Sequence, residues 1–279
     1  MRRSVLVTGA SRGIGEATVL RLARAGWCVF AGVRRDEDGA ALRSAGGAIV
    51  PVRLDVTDEA QVAAAAATIA EHARGELHGV VNNAGIAVAA PLEYLPVQEL
   101  RRQLEVNVLG QVAVTQALLP MLRRAQGRIV FVSSISGRSA LPFTGPYAAS
   151  KHALEALADA WRVELLPWGL HVALIEPGVI ATPIWQTSID AAERLLAGAP
   201  AELEERYGRT LGALRRRALR GTSGLPADTV AVAIEHALSA AAPRTRYLIG
   251  RDARLRLWLE RFLPDRVRDR LIARQLERL

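Results

Sequence analysis

Short apolar runs alternate along the chain with longer stretches in which apolar residues return every three or four positions. The short runs are Ser4–Thr8, Cys28–Val33, Ala48–Leu54, Val80–Asn82, Arg128–Ser133, His171–Glu176 and Tyr247–Ile249. They are almost continuously apolar, as strands are when both faces of a sheet are covered. The longer stretches, Ala17–Ala25, Glu59–Ala73, Val97–Leu122 and Pro146–Leu166, predict helices. Strands alternating with helices predict an α/β fold with a parallel sheet between helical layers. No repeat, low-complexity linker or domain boundary interrupts residues 1–250.

Two segments depart from the alternation. Ile184–Leu225 is long, polar and rich in Ala, Leu and Arg, with Gly and Pro at its margins. It predicts a helical flap over a substrate pocket. Residues 251–279 form a C-terminal helical extension of the same domain. There Leu255, Trp258, Leu259 and Phe262 recur at helical spacing among arginines, and Pro264 predicts a break before Val267, Leu271 and Ile272. Two readings stay open for this basic amphipathic segment. It packs on its own domain or a partner subunit, or it lies on a membrane surface.

Composition narrows the classes. Half of the residues are apolar, yet no run of about 20 apolar residues predicts a spanning helix. Arg2 and Arg3 lead directly into the first strand, so no signal peptide is expected. One cysteine, Cys28, excludes an intrachain disulfide and suits a reducing compartment. A cytoplasmic protein is expected, peripheral at a membrane if the extension binds lipid. The net charge of +8 raises nucleic-acid binding as a possibility. The basic residues are scattered, however, aromatics make up only 5%, and the densest basic run, Arg215–Arg217, has no base-reading motif around it. No nucleic-acid partner is expected. Of the 36 basic residues counted as Lys or Arg, only Lys151 is a lysine. A chain that uses Arg for every generic positive charge keeps a compact ammonium where one is needed.

The first turn reads Thr8-Gly9-Ala10-Ser11-Arg12-Gly13-Ile14-Gly15. Between a strand and a helix, such a turn brings backbone N–H groups and a helix N-terminus to a pyrophosphate. The spacing is Gly-x3-Gly-x-Gly, and Gly9, Ser11, Arg12, Gly13, Ile14 and Gly15 are candidate cofactor contacts. The second strand ends at Val33, where an NAD site would place a ribose-binding acid, and Arg34 follows. A guanidinium binds a 2′-phosphate with paired hydrogen bonds, so NADP(H) is expected over NAD(H), with Arg12 as a second charge. Asp36 and Asp38 follow closely and keep a ribose contact open. Asp55 and Val56 end the third strand and are candidates for the adenine. Asn83, Ala84 and Gly85 end the fourth, where small residues let backbone approach a cofactor.

Tyr147 and Lys151 lie four apart, on one face of a predicted helix. A free phenol has a pKa near 10. A neighbouring ammonium and a positive nicotinamide ring are expected to lower it towards working pH. Ser134 lies at the end of the fifth strand, thirteen residues before Tyr147, and is a candidate to hold the substrate oxygen.

These marks together resemble the short-chain dehydrogenase/reductase family over roughly Arg3–Ile249. They are Thr8-Gly9-x3-Gly13-x-Gly15, Asp55, Asn82-Asn83-Ala84-Gly85, Asn107, Ser134, Tyr147-x3-Lys151 and Pro177-Gly178, in the family's order and spacing. The resemblance implies a single-domain, doubly wound Rossmann-type parallel sheet of about seven strands. It implies Asn107, Ser134, Tyr147 and Lys151 as the catalytic set, with Asn107 holding a water that joins Lys151 to solvent and Lys151 also bonding the nicotinamide ribose. It further implies Pro177, Gly178, Ile180 and Thr182 beside the nicotinamide, and a homodimer or homotetramer formed through the helices bearing Asn107 and Tyr147. The stretch from Val163 to Gly178 resembles the hydroxysteroid and retinol dehydrogenase branch.

The remaining candidates are bland. His72, His78, His152, His171 and His236 have no ligand spacing, and no cluster predicts a metal. Ser133 and Ser134 lack the Gly-x-Ser-x-Gly elbow of a hydrolase. Trp161, Trp168 and Trp258 are expected to be packing residues, whereas Trp185 begins the flap and is a candidate for the pocket wall. The expected function is NADP(H)-dependent hydride transfer between nicotinamide and a carbonyl or secondary alcohol of a lipophilic, steroid-, retinoid- or fatty-like substrate. The rival is a non-catalytic NADP-binding regulator on the same fold.

Overall fold

The seven strands form one parallel sheet in the order β3-β2-β1-β4-β5-β6-β7 in a computed structural model that describes residues 2–220 and 224–277. The strands are β1 (Ser4–Val7), β2 (Cys28–Val33), β3 (Ile49–Arg53), β4 (Gly79–Asn82), β5 (Arg128–Val132), β6 (His171–Pro177) and β7 (Arg246–Ile249). Residues 221–223 of the predicted flap and 278–279 of the extension lie outside the described residues, as does the side chain of Arg217 in the basic run.

Alternation along each strand divides the core. Val5 and Val7, Val29 and Ala31, and Val130 and Val132 face one layer. Leu6, Phe30, Ile129 and Phe131 face the other. The first layer contains α1 (Gly13–Arg24), α2 (Asp36–Ser44) and α9 (Ala227–Ser239), which place Val19, Leu22, Leu42 and Ile234 on the sheet. The second contains α3 (Glu59–His72), α5 (Gly110–Ala125) and α6 (Gly145–Glu164), with Ile69, Leu118, Leu122 and Leu154. Every one of these strand and helix side chains is at least nine-tenths buried.

Three differences from the sequence pattern have physical causes. Helices α2 and α9 add to those expected: α2 begins with three acids and buries only Gly39 and Leu42, and α9 buries Val230, Ala231, Ile234, Ala237 and Leu238 behind an exposed face of Asp228, Thr229, His236 and Ser239. The helix expected over Val97–Leu122 is divided. It runs as α4 (Val97–Leu104), widens to a π turn over Glu105–Leu109, and continues as α5 to Ala125. Such turns insert one residue into the ladder and frequently accompany functional sites.

The flap is α7 (Ile184–Leu196) followed by α8 (Ala201–Arg220). Arg206 and the Tyr207 hydroxyl reach Glu93 at 2.6 and 2.9 Å, and the Tyr207 ring stands edge-on to Tyr94 and Phe143. The extension is α10 (Arg251–Phe262) and α11 (Asp265–Glu277), broken at Pro264 as its sequence predicts. The inner face of α10 packs on its own domain. Ala253 is fully buried, Asp252 accepts from the Val179 N–H at 2.8 Å, and Arg256 donates to the Ser139 carbonyl at 2.7 Å. Leu255, Trp258 and Phe262 on the outer face are exposed. None of the described helices is long and apolar enough to cross a membrane.

Candidate active site

Chain winding reverses between β1 and β4, and the loops that leave their C-terminal ends part there. In open α/β sheets this is where a ligand crevice forms. A cavity of about 930 Å³ opens at that place.

The loops on its floor are tied together. Thr8 Oγ1 accepts from the N–H groups of Asn83 and Ala84 at 3.0 and 2.9 Å, and Asn83 Nδ2 donates to the carbonyls of Thr8 and Gly9. Gly9 has φ +63°, and a Cβ there would lie 2.8 Å from Ala84 Cα. No side-chain bond caps the N-terminus of α1 beside this turn, so its first N–H groups remain available to an anion. Gly9, Ser11, Arg12, Gly13 and Ile14 line the cavity, but Gly15 does not. Gly15 instead packs α1 against the turn, where a Cβ would meet the Gly9 carbonyl at 2.2 Å.

Val33 and Arg34 reach the cavity from the end of β2, and Asp55 and Val56 from the end of β3. Val33 is buried; Arg34 and Arg12 are exposed, and no carboxylate pairs with either among the described residues. The neighbouring acids are engaged. Asp38 pairs with Arg35 at 3.0 Å, and Asp36 with Arg53 at 3.4 Å. Asp55 Oδ1 accepts from the N–H and hydroxyl of Thr57.

At the other end, α6 brings Tyr147 and Lys151 to the wall, with Pro146 in its first turn where no N–H is needed. Ser134, just past β5, reaches the Tyr147 phenol with its hydroxyl. Lys151 Nζ donates to the Val132 carbonyl at 2.7 Å and lies 5.7 Å from the centre of the Tyr147 ring. Trp185 of α7 stands edge-on to that ring at 5.9 Å. Burial pushes the Tyr147 phenol above its ordinary value, opposed by the Ser134 hydroxyl. Desolvation of the anion thus prevails in the protein alone, and the expected lowering draws on the nicotinamide charge as well. Burial also pushes the Lys151 ammonium down to about 8, opposed by the charge of Glu155.

Asn107 sits in the π turn, fully buried and behind the cavity wall. Its Oδ1 accepts from the Ile86 N–H at 2.9 Å, and its Nδ2 donates to the Ile86 carbonyl and Ser150 Oγ at 3.0 and 3.1 Å. It therefore fixes the strip that carries Ala84, Gly85 and Ile86 along the cavity. Pro177, Gly178, Ile180 and Thr182 all line the cavity. Sequence reasoning did not identify the pocket face of α7, with Thr187, Ser188, Ala191 and Leu195, or Glu99 and Arg102 of α4. Periodicity marks a helix but not which of its faces a flap turns inward.

The description short chain dehydrogenase matches residues 3–193. The chain belongs to the short-chain dehydrogenase/reductase family. This enzyme is 36% identical to retinol dehydrogenase 5 of Mus musculus, over 96% of its own length and 87% of the relative's, within the retinol and hydroxysteroid dehydrogenase-like branch. It superposes with a TM-score of 0.74 on a short-chain dehydrogenase from Burkholderia cenocepacia solved with NADP, at 27% identity and 97% coverage of each chain. One from Burkholderia phymatum, solved with NAD, also gives a TM-score of 0.74, at 29% identity and 88% coverage of each chain. As a member of this family, the short-chain dehydrogenase/reductase described here is an oxidoreductase acting on CH–OH groups.

Proposed function

We propose that this short-chain dehydrogenase/reductase interconverts a lipophilic secondary alcohol and its ketone with NADP(H). One observation carries the reading: Ser134, Tyr147 and Lys151 converge on a single cavity whose other end presents Arg12 and Arg34 without a carboxylate partner among the described residues. The bound nicotinamide supplies or accepts the hydride. The unfilled end of α1 and the Gly9 turn fit its pyrophosphate, and the guanidiniums of Arg34 and Arg12 fit a 2′-phosphate.

In reduction, the Ser134 hydroxyl donates a hydrogen bond to the carbonyl oxygen. Tyr147 gives its proton to that oxygen, and the Lys151 ammonium stabilises the phenolate left behind. In oxidation the phenolate takes the hydroxyl proton back. Trp185, Ile184, Ala191 and Leu195 give the substrate end an apolar wall, which suits a lipophilic substrate, and the resemblance to a retinol dehydrogenase supports the same class.

Titration with NADPH and NADH by nicotinamide fluorescence, on wild type and Arg34→Ala, tests the cofactor reading. NADPH is expected to bind more tightly and to weaken about tenfold or more in the variant, the scale of a lost charge-assisted bond. Equal NADH affinity in the wild type would overturn the preference. A screen of lipophilic ketones with the preferred cofactor then tests the reaction.

A further inference from the structure

Lys151 is an ammonium buried to 4% exposure, and it forms no ion pair among the described residues. An isolated buried charge is costly unless an opposite charge lies near. One turn further along the same face of α6 comes Glu155, also buried, and one turn beyond that Asp159. The stripe Tyr147, Lys151, Glu155, Asp159 thus runs from the cavity to the surface.

Arg246 of β7 meets this stripe. Its guanidinium contacts Glu155 Oε2, holds Glu176 of β6 at 2.5 Å, and grips both oxygens of Asp159 at 2.6 and 2.7 Å. Arg138 lies 3.6 Å from Glu176, and Arg162 is 2.5 Å from Asp159. Arg256 of α10 closes the outside through the Ser139 carbonyl. Arg162 and Arg138 thus share Asp159 and Glu176 with Arg246, whereas Glu155 meets no second guanidinium among the described residues. Lys151, one turn away on α6, has no ion-paired carboxylate among the described residues. Glu155 Oε1 is buried with no hydrogen-bond partner among the described residues, and so is the Oγ of Ser133, a residue that lines the cavity. Both groups crowd Gly137, where a Cβ would lie 2.9 Å from Glu155 Cγ, 2.9 Å from Ser133 Oγ and 3.0 Å from the Lys151 carbonyl. Arg246 thus engages Glu155 through Oε2 and leaves Oε1 without a hydrogen bond among the described residues.

We infer that Glu155 is a positioning residue for the reaction, acting on Tyr147 through Lys151 as the countercharge behind the ammonium. The inference deepens the proposed function and rests on it for its catalytic meaning. The spacing on α6 places the buried carboxylate one turn behind the ammonium, and electrostatics agree in direction: the Glu155 charge holds Lys151 up against its burial. Burial and the nearby Glu176 charge raise the Glu155 carboxyl to about 7. Glu155 therefore becomes charged just below the pH at which Lys151 would lose its proton.

Because Lys151 is the sole lysine, protein grown on lysine labelled with 13C at Cε has one lysine resonance to follow with pH. In the wild type this resonance is expected to show its main midpoint near 8 and a smaller inflexion near 7 as Glu155 ionises. In Glu155→Gln the main midpoint is expected to fall by about one unit and the smaller inflexion to vanish. The alkaline limb of ketone reduction should move down with it, whereas a merely structural role would lower the melting temperature and leave the limb in place. A midpoint unchanged in Glu155→Gln would overturn the inference. Should that variant not fold, the absence of the inflexion from the wild type would overturn it equally. The resonance is read without turnover, so a wild type that reduces no ketone would count against the proposed activity and leave this result standing.

Discussion

At Tyr147, burial and charge pull in opposite directions. Burial favours the neutral phenol, and the Lys151 ammonium favours the phenolate. Reduction uses the phenol and needs the ammonium to receive the charge left on it. As pH rises through about 8, Lys151 loses its proton, and the phenolate loses that support. The rate constant kcat/KM for reduction is therefore expected to fall above about pH 8; a rate that stays level through pH 10 would sink this assignment. Tyr147→Phe is expected to cut turnover by a factor of about 100 to 10,000 while NADPH binding survives. Much of this chemistry was legible in the residues themselves. A spacing of four on a helix puts Tyr147 and Lys151 on one face, and a strand end carries Ser134 to the cavity. The place of Asn107 was not legible, because spacing does not say that its amide turns to the Ile86 backbone.

Elements set the site by what lies behind them. Helix α10 begins directly after β7, and Asp252 in its first turn holds the Val179 N–H. Gly178 leaves the room: a Cβ there would lie 2.2 Å from Asp252 Oδ2. The extension thus braces the segment Pro177–Thr182 from outside. Asp252→Ala is expected to raise KM for NADPH by about threefold to tenfold, part of the energy of one bond to a charged acceptor, with a smaller effect on kcat. An unchanged KM, read beside an unchanged melting temperature, would show that the brace has no bearing on the cofactor. The sequence pattern left open where this helix docks, because its apolar stripe includes exposed Leu255, Trp258 and Phe262 as well as buried Ala253.

For the whole molecule, alternation of strand and helix was enough to imply a parallel sheet with two helical layers. Alternating positions along a strand separate the two halves of the core, Val5 and Val7 from Leu6 in β1 and Ala173 and Ile175 from Val172 and Leu174 in β6. The doubly wound arrangement was carried by the family resemblance rather than by periodicity, and the strand order came only with the structure, since it depends on which apolar faces find each other after collapse. The mature fold then gives Lys151 a further use. A protease that cuts only after lysine has one target peptide bond, Lys151–His152, in the middle of a 20-residue helix. That bond becomes available only when α6 comes apart, so scission measures the population of opened chains. Cleavage is expected to be slow in buffer, to accelerate with denaturant as global unfolding does, and to slow again under saturating NADPH by mass action. Rapid cutting in buffer, indifferent to denaturant, would mean that α6 opens locally, a liability for the helix that carries the reacting phenol.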